Sequence, residues 1–310
     1  MRLNNQPLVA VWMLAYNHEN YIGRAIEGII TQKTDYSFKL FIGEDKSTDN
    51  TKEICKSYAE KHPHQIELLL NQENDIVTNA KNTYNACFRS GARYMAMCEG
   101  DDYWTEPNKL QKQVSFLEKH TDYSLAFHNV TIHYIESDKN EPYYKTNEAI
   151  ESQIKGKKKR IFSVIPTCSI VFRTEMLDPF PDWFWNIFCG DLFLFASLAD
   201  RGKFKYFPET MAVYNRHERG YTSTFNRIKR KKDREFFYNK MNEYFNYRFA
   251  PQVKQKKLLI YGDLSLTYQN RNEIKTATDY MLKSLLQINS WQGVKIFLKD
   301  YWLSYFKGLF

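Results

Sequence analysis

Three carboxylates stand close together in the segment Glu99-Gly100-Asp101-Asp102, directly after the apolar run Tyr94–Cys98. A buried strand that ends in carboxylates brings hard oxygen ligands to the carboxyl edge of a sheet, where open α/β folds bind their ligands. Such oxygens suit Mg²⁺ or Mn²⁺ bridging the phosphates of a ligand, and Gly100 would let the backbone approach closely. For this segment taken alone, a solvated acidic turn is the alternative.

The elements that would position these carboxylates follow an alternating pattern. Apolar runs that fit buried strands cover Leu8–Leu14, Phe38–Ile42, Ile66–Leu70 and Tyr94–Cys98. Segments of helical period lie between them, the first with Asn17 as its expected N-cap, the second after Asp49, and the third over about Thr78–Arg89. The alternation predicts an α/β fold, with a mostly parallel sheet covered by helices on both faces.

The composition changes beyond about Thr222, where Pro and Gly become rare and amphipathic helical stretches run to the end. Two of these stretches, 258–268 and 277–286, are expected to pair as a helical hairpin. We therefore expect a catalytic domain over 1–222 and an all-helical region over 223–310. The polar segment between Glu136 and Lys159 is predicted to be an excursion or a mobile loop.

Cysteine usage and apolar run lengths limit the cellular setting. The five cysteines are odd in number and form no C-x-x-C pair, which argues against a disulfide framework and a thiolate metal site and favours the cytoplasm. The run Leu8–Ala15 lacks the features of a signal peptide and is expected to be a first strand. No apolar run reaches the ~18–20 residues that cross a bilayer.

The net charge of +8 is concentrated in two basic runs, Lys155–Arg160 and Arg227–Arg234. Each could meet anionic lipid head groups or nucleic acid, or be a solvated face. The aromatic tail Trp291–Phe310 carries interspersed lysines, so it fits either an interfacial membrane helix or a helix docked on the catalytic core. Our expectation is a cytoplasmic protein with a peripheral contact to anionic membrane and no nucleic-acid partner.

Four segments, in order, resemble motifs of the family 2 glycosyltransferases, an inverting group with the GT-A (Rossmann-like) fold. The segments are Val9–Asn17 with its final Ala-Tyr-Asn, Gly43–Thr51 (Gly-Glu-Asp-Lys-Ser-Thr-Asp-Asn-Thr), Glu99–Trp104 followed by Lys109–Gln113, and Gly190–Leu192 with Tyr214–His217 downstream. The third resembles the family's D-x-D-D metal motif. Each motif alone is weak, but the ordered set spans about residues 8–222.

The chain departs from the family pattern at three positions. Glu44 replaces the usual first aspartate of the second motif, and Glu99 replaces the first aspartate of the third. Lys46 replaces a glycine, so we expect it to be unable to supply a flexible turn and to face a phosphate instead.

The resemblance implies a metal-dependent hexosyltransferase-type reaction, in which an acceptor hydroxyl displaces a nucleoside diphosphate from an activated sugar. Asp101 would bind the divalent cation, Mn²⁺ or Mg²⁺, with His217 as a second contact to the metal or the diphosphate. Asp191 would be the general base. A helix N-cap is the alternative role for Asp191, and a structural role is the alternative for His217.

The resemblance also implies residues that bind the nucleotide sugar. Tyr16 would stack on the base while Asp45 accepts a hydrogen bond from an imide N–H, which favours a UDP- or dTDP-linked donor over a purine one. Glu19 would join them, or else interact with the dipole of its own helix. Glu99 would reach a ribose hydroxyl, beside Gly100 and Asp101.

For the acceptor, expected to be a glycan or a lipid-linked glycan in cell-surface polysaccharide synthesis, the flat rings of Trp183 and Trp185 are candidates. Core packing explains them equally well. A nicotinamide-dependent dehydrogenase would carry G-x-G-x-x-G after the first strand, and this chain has Leu14–Glu19 there instead. The remaining alternative is a catalytically inactive GT-A-like module that binds nucleotide sugar or a membrane surface.

Overall fold

The computed structural model describes residues 7–156, 164–177, 179–187, 190–218 and 227–307. Contacts divide them into two compact units, one within 1–185 and 191–220 and the other within 186–190 and 221–310. The boundary expected at residue 222 lies outside the described residues, as do Cys189 and the greater part of the basic run Lys155–Arg160.

The first unit contains a nine-stranded sheet. Its strands are β1 (Val9–Ala15), β2 (Phe38–Glu44), β3 (Ile66–Leu70), β4 (Tyr94–Met97), β5 (Tyr103–Trp104), β6 (Tyr123–Tyr134), β7 (Lys139–Pro142), β8 (Val171–Arg173) and β9 (Lys203–Arg216). They run in the order β3-β2-β1-β4-β8-β6-β9-β5, and β7 pairs with β6. The β3-β2-β1-β4 half is parallel, whereas β8 is antiparallel to both of its neighbours.

Six helices accompany this sheet within the described residues. They are α1 (Ile22–Ile30), α2 (Thr51–Lys61), α3 (Ile76–Arg89), α4 (Lys109–Lys119), α5 (Asn147–Ile154) and α6 (Gly190–Arg201). The four strands and three helices predicted from the first hundred residues are all present, because their apolar periods are long and regular. The predicted α/β class is confirmed.

Two local predictions were wrong. Asn17 is not the N-cap of α1, which begins only after Tyr21, and Asn17 instead adopts a left-handed backbone with φ 54°. The polar stretch after Glu136 is not merely a loop: it contains β7, which forms a hairpin with β6, and then α5. Its polarity reflects the exposed edge position of β7, whose residues are largely in contact with solvent.

Parallel register brings three chain segments to one edge of the sheet. Ala15 at the end of β1 pairs with Glu44 at the end of β2, and Trp12 pairs with Met97 at the end of β4. The residues that follow these strands therefore meet at the carboxyl edge, where parallel α/β sheets bind ligands.

The second unit is helical, as expected for the C-terminal region. It contains α7 (Arg227–Tyr244), α8 (Ala250–Gln269), α9 (Ile274–Leu285) and a tail helix, which runs through α-turns at Trp291–Ile296 and Leu303–Lys307 and π-turns at Phe297–Trp302. The predicted hairpin is present as α8 and α9, with Ala277 and Met281 buried. Among the described helices, none is both long enough and apolar enough to span a bilayer.

A close approach at Gly28 fixes α1 against the strand that follows the carboxylate segment. A Cβ at Gly28 would lie 2.7 Å from the carbonyl oxygen of Trp104, whereas a Cβ at Gly23 in the same helix would have its nearest neighbour 3.8 Å away. We therefore predict that Gly28→Ala destabilises the fold by about 1–3 kcal/mol, since the backbone of β5 must move.

Gly23→Ala is the matched control, and we expect it to stabilise the protein by about 0.5–1 kcal/mol, the usual gain from replacing a glycine inside a helix. Urea unfolding of both variants measures the difference. Changes of the same sign and size would contradict this account of how α1 is positioned.

Candidate functional site

The carboxylate segment is fastened to β9 by Asn215. The backbone N–H of Asn215 donates to Asp102 Oδ1 at 2.9 Å, and its side-chain amide donates to the carbonyl of Asp101 at 2.6 Å. Burial, followed by the charges of Asp101 and Glu99, raises the pKa of Asp102 well above its usual value. Asp102 is thus a buried anchor that holds the loop, while its neighbour Asp101 is left to face the site.

Asp101 lies between two imidazoles. His217 Nε2 is 3.1 Å from Asp101 Oδ2, and His18 Nε2 is 3.9 Å from the same oxygen. Burial opposes ionisation of Asp101, but the hydrogen bond from His217 and the two nearby rings outweigh it, so the pKa of Asp101 is below its usual value. The structure therefore brings the predicted pair Asp101 and His217 together and adds His18.

Glu99 and Asp191 share one electrostatic environment. Burial and then the charge of Asp101 raise the pKa of Glu99 to about 7, with a smaller contribution from Asp191 in the same direction. Thr167 Oγ donates to Glu99 Oε2 at 2.9 Å. Burial and then Asp191 also raise the pKa of Tyr143. Asp191, near the start of α6, is therefore close enough to act on the same space as the carboxylate segment.

Gly100 is required by packing. A Cβ there would lie 2.8 Å from His18 Nδ1 and 2.9 Å from Ile22 Cδ1, while the Gly100 N–H donates to the carbonyl of Leu14 at 2.9 Å. Only a glycine permits this contact, which holds His18 beside Asp101.

At the tips of β1 and β2, Tyr16 and Asp45 differ in exposure. Tyr16 is 39% exposed, and Asp45 is 1% exposed. The Asp45 carboxylate accepts hydrogen bonds from the side chains of Asn71 and Asn74 and from the backbone N–H of Asp75. Asp45 is therefore built into the loop after β3 as well as the end of β2.

The second motif serves mainly to join two loops. Glu19 accepts hydrogen bonds from the backbone and side chain of Asn50, and its own N–H donates to Asp49. Lys46, expected to be unable to form a turn, adopts the left-handed conformation with φ 56°, and its amine pairs with Glu73 at 2.9 Å. The expectation that Lys46 could not form the turn was wrong, because the surrounding hydrogen bonds impose the conformation that a glycine would otherwise adopt freely. The expected contact of Lys46 with a phosphate stays a prediction.

A cavity of about 470 Å³ opens beside His217. It is lined by Asn17, Glu19, Asn20, Tyr21, Thr48, Asp49, Ile135, Glu136, His217 and Glu218. Four of these side chains are carboxylates. A phosphate group entering this cavity would need a counter-charge.

The donor set fits a divalent cation that takes most of its ligands from a bound phosphate. Within the described ranges, no three His, Cys, Asp or Glu side chains are grouped closely enough to enclose a metal. Asp101 and His217 provide an oxygen and a nitrogen directed at one another, which suits the one or two protein ligands with which Mg²⁺ or Mn²⁺ is commonly held beside phosphates.

Trp183 and Trp185 belong to an aromatic cluster. Trp183 meets the ring of Phe193 edge-on at 4.9 Å, and Trp185 contacts Tyr84 with ring centroids 5.7 Å apart. Both side chains stay partly exposed, so packing and a contact with a bound molecule are compatible here.

A buried lysine lies behind the carboxylate segment, at the start of the motif segment Lys109–Gln113, and the sequence comparison gave it no role. Lys109 is fully buried, with its amine 3.9 Å from the ring centroid of Trp104 and without a hydrogen-bond partner among the described residues. Gln113 Oε1 and His128 Nε2 are likewise buried without partners in this part of the structure. Burial lowers the pKa of Lys109 to about 7.

Comparisons with known proteins agree on the family. The sequence model described as glycosyl transferase family 2 matches residues 10–178. An uncharacterised protein of Mycobacterium tuberculosis is 34% identical over 214 residues, which is 68% of this chain and 60% of that protein. The match thus spans about three fifths of the relative's length. A putative glycosyltransferase of Bacillus subtilis, EpsE, is 35% identical over 40% of this chain and 43% of its own.

Solved structures share the fold at low sequence identity. Staphylococcus aureus TarS (residues 1–349) in complex with UDP-GlcNAc aligns with a TM-score of 0.56 and 12% identity, covering 89% of this chain and 90% of that one. The mannosyltransferase PcManGT of Pyrobaculum calidifontis, with GDP-Man and Mn²⁺, aligns with a TM-score of 0.53 and 14% identity over 99% and 85% of the chains. The expected GT-A fold is confirmed.

The buried amine of Lys109 makes stability depend on pH. Its folded pKa of about 7 lies below that of an unfolded lysine, so the unfolded state binds more protons between these values and stability should rise with pH above 7. We predict that Lys109→Met stabilises the protein more at pH 6 than at pH 9.5, by about 2–4 kcal/mol.

Urea unfolding at several pH values measures this difference. Lys112→Met, on the same helix but partly exposed, is the control and should leave the pH profile unchanged. An equal gain from Lys109→Met at every pH would show that the amine is not buried as a charge.

Proposed function

This chain belongs to glycosyl transferase family 2, and from that membership and the geometry of its site we propose that it transfers a sugar from a nucleoside-diphosphate sugar to an acceptor hydroxyl. The observation that carries the proposal is the environment of Asp101. Its pKa is lowered beside His217 and His18, and Asp101 and Asp191 both act on the nearby carboxylate of Glu99. The proposed catalytic domain is 1–222, with 223–310 as a helical region.

Asp101 and His217 would hold the divalent cation. When bound, the cation would neutralise charge on the diphosphate leaving group. The acidic cavity beside His217 supports this requirement, since four carboxylates would otherwise repel phosphates. The 3.1 Å contact between Asp101 and His217 keeps the two groups side by side.

For the donor we propose a uridine or thymidine nucleotide. Tyr16 offers an exposed ring for stacking at the tip of β1. Asp45 already accepts three hydrogen bonds, and a carboxylate has about four acceptor positions, so one remains for an imide N–H. TarS was solved with UDP-GlcNAc and PcManGT with GDP-Man, so the fold admits either base and these side chains must select it.

The other proposed contacts to the nucleotide sugar are inferred from where Glu99, Gly100 and Glu19 lie. Glu99, fixed by Thr167, would reach a ribose hydroxyl, with Gly100 and Asp101 beside it. Glu19 would act on the nucleotide indirectly, through its hydrogen bonds to Asn50.

The acceptor would be deprotonated by Asp191. As its hydroxyl oxygen bonds to the anomeric carbon, the hydroxyl proton passes to the Asp191 carboxylate and the nucleoside diphosphate departs from the opposite face, which inverts that carbon.

Trp183 and Trp185, partly exposed, would contact the acceptor. We propose a glycan or lipid-linked acceptor in cell-surface polysaccharide synthesis, in keeping with a similar protein of Bacillus subtilis, TuaG, described as a putative teichuronic acid biosynthesis glycosyltransferase. The setting would be the cytoplasmic membrane face.

Nucleotide binding in the presence of Mn²⁺ tests both the base assignment and the metal assignment. Calorimetric titration of the intact chain with UDP, dTDP, GDP and CDP in Mn²⁺ should rank UDP or dTDP first. Asp101→Asn should weaken UDP binding in Mn²⁺ by at least about tenfold and leave metal-free binding unchanged. Asp138→Asn, at an exposed turn, is the control. Unaltered Mn²⁺-dependent binding by Asp101→Asn would refute the metal assignment, and a preference for GDP would refute the base assignment.

Loss of the Asp191 carboxylate should remove transfer without removing donor binding. We expect Asp191→Asn to lower turnover of the nucleotide sugar by about 10²–10⁴-fold while its affinity for UDP stays the same, because only the base is lost. Asp182→Asn, on the exposed preceding turn, is the matched control. A parallel fall in affinity would indicate a structural cap. Nucleotide binding without turnover in the unaltered chain would favour an inactive binding module.

A further inference from the structure

The tail helix is apolar on two adjacent sides, one buried and one exposed. Its inner face is occupied: Phe297, Tyr301 and Tyr305 are buried, and Tyr301 OH donates to the carbonyl of Leu259 in α8. Gln269 at the end of α8 donates to the carbonyl of Tyr305 at 2.6 Å. The tail helix therefore packs within the helical unit itself, whereas the sequence had suggested the catalytic core as its docking surface, and the inner aromatics are not available to another partner.

The outer face of the tail helix carries a separate stripe. Trp291, Leu298 and Trp302 are 73%, 47% and 39% exposed, at spacings of seven and four residues that place them on one side of a helix. Lys295 and Lys299 are exposed within the same stripe. A Trp-and-Lys face of this kind is typical of helices that lie in a membrane interface.

Helix α9 carries exposed leucines of its own. Thr278 Oγ contacts Tyr305 OH at 2.6 Å, so the side of α9 that carries Thr278 borders the tail helix at its inner face. Leu282 and Leu285 follow Thr278 at four and seven residues, which puts them on that same side, and they are 54% and 43% exposed. Leu286, 74% exposed, begins the connection to Trp291. We call the six residues Leu282, Leu285, Leu286, Trp291, Leu298 and Trp302 the outer face.

Charge identifies the kind of partner. Residues 227–307 contain 17 Lys and Arg against 7 Asp and Glu, an excess of ten positive charges in a chain whose total is +8. The helical region thus carries all of the net positive charge. Some of it is used internally, since Lys231 pairs with Asp263, but Lys295 and Lys299 stay exposed beside the outer face. An apolar face edged by lysines is complementary to an anionic lipid surface.

We propose that the outer face inserts into the interface of an anionic membrane. Trp291 and Leu286 would enter the boundary between head groups and acyl chains, while Lys295 and Lys299 would contact lipid phosphates. The inference rests on the proposed function for its biological setting. Its physical test needs no catalysis.

Vesicle flotation of the full chain tests the proposal. We expect binding to vesicles of phosphatidylcholine with phosphatidylglycerol at low salt, and much weaker binding to phosphatidylcholine alone or at high salt. The double substitution Leu286→Ser with Trp291→Ser should lower partitioning about tenfold or more, since both side chains are about three-quarters exposed and the fold does not need them. Lys295→Gln with Lys299→Gln should lower binding to anionic vesicles only.

Phe88→Ser is the control, because it removes a 44% exposed aromatic ring from α3 in the sheet unit and should leave flotation unchanged. Thermal melts of each variant verify folding. Absent flotation of the unaltered chain, or flotation unaffected by the double substitution, would overturn the inference. A dimer in size-exclusion chromatography that the double substitution converts to a monomer would assign the face to a second copy and overturn it equally. UDP titration of the double variant, expected to be unchanged, separates either result from a failure of the proposed function.

Discussion

The arrangement of the site depends on one buried contact, the fastening of Asp102 to Asn215. Two adjacent aspartates in a partly dehydrated turn would repel each other if both were ionised. The structure eases this by burying Asp102, whose pKa is raised, and by placing Asp101, whose pKa is lowered, beside two imidazoles. Because the Asn215 N–H and amide hold both residues, the last strand of the sheet determines where Asp101 points.

Close packing on the side of the carboxylate turn away from Asn215 also restricts where the turn can lie. Gly100 packs against His18 of the first βα connection and Ile22 at the start of α1, and Gly28 packs against Trp104. The carboxylate turn is therefore held between α1 and β9, elements more than a hundred residues apart in the chain. A side chain positioned by rigid elements on both sides is pre-organised, which is what electrostatic stabilisation of a leaving group requires.

The sequence predicted the strands, the helices and the candidate residues Asp101 and His217 better than the contacts that position them. Strands such as β1 and β2 were found because a buried parallel strand is an uninterrupted apolar run, and Asp101 and His217 were paired through ordered motifs. His18 and Asn215 were missed as site residues because their roles arise only when remote loops meet. Lys46 was misjudged because its left-handed turn is imposed by neighbouring hydrogen bonds rather than by its own preference. The Glu136–Lys159 stretch was misjudged because an exposed edge strand has no apolar period to detect.

The residues that pack behind the site carry an energetic cost, as the buried amine of Lys109 shows. Its amine lies over Trp104, whose indole N–H donates to the carbonyl of Cys168, and the Cys168 thiol in turn hydrogen-bonds Asp102. This chain of contacts runs from the core to Asp102, so the same dry environment that lowers the pKa of the lysine raises that of Asp102. A fully apolar residue at 109 would fit that environment better. The protein therefore keeps a buried polar network directly behind its charged group, as expected where stability is exchanged for a fixed arrangement of charges.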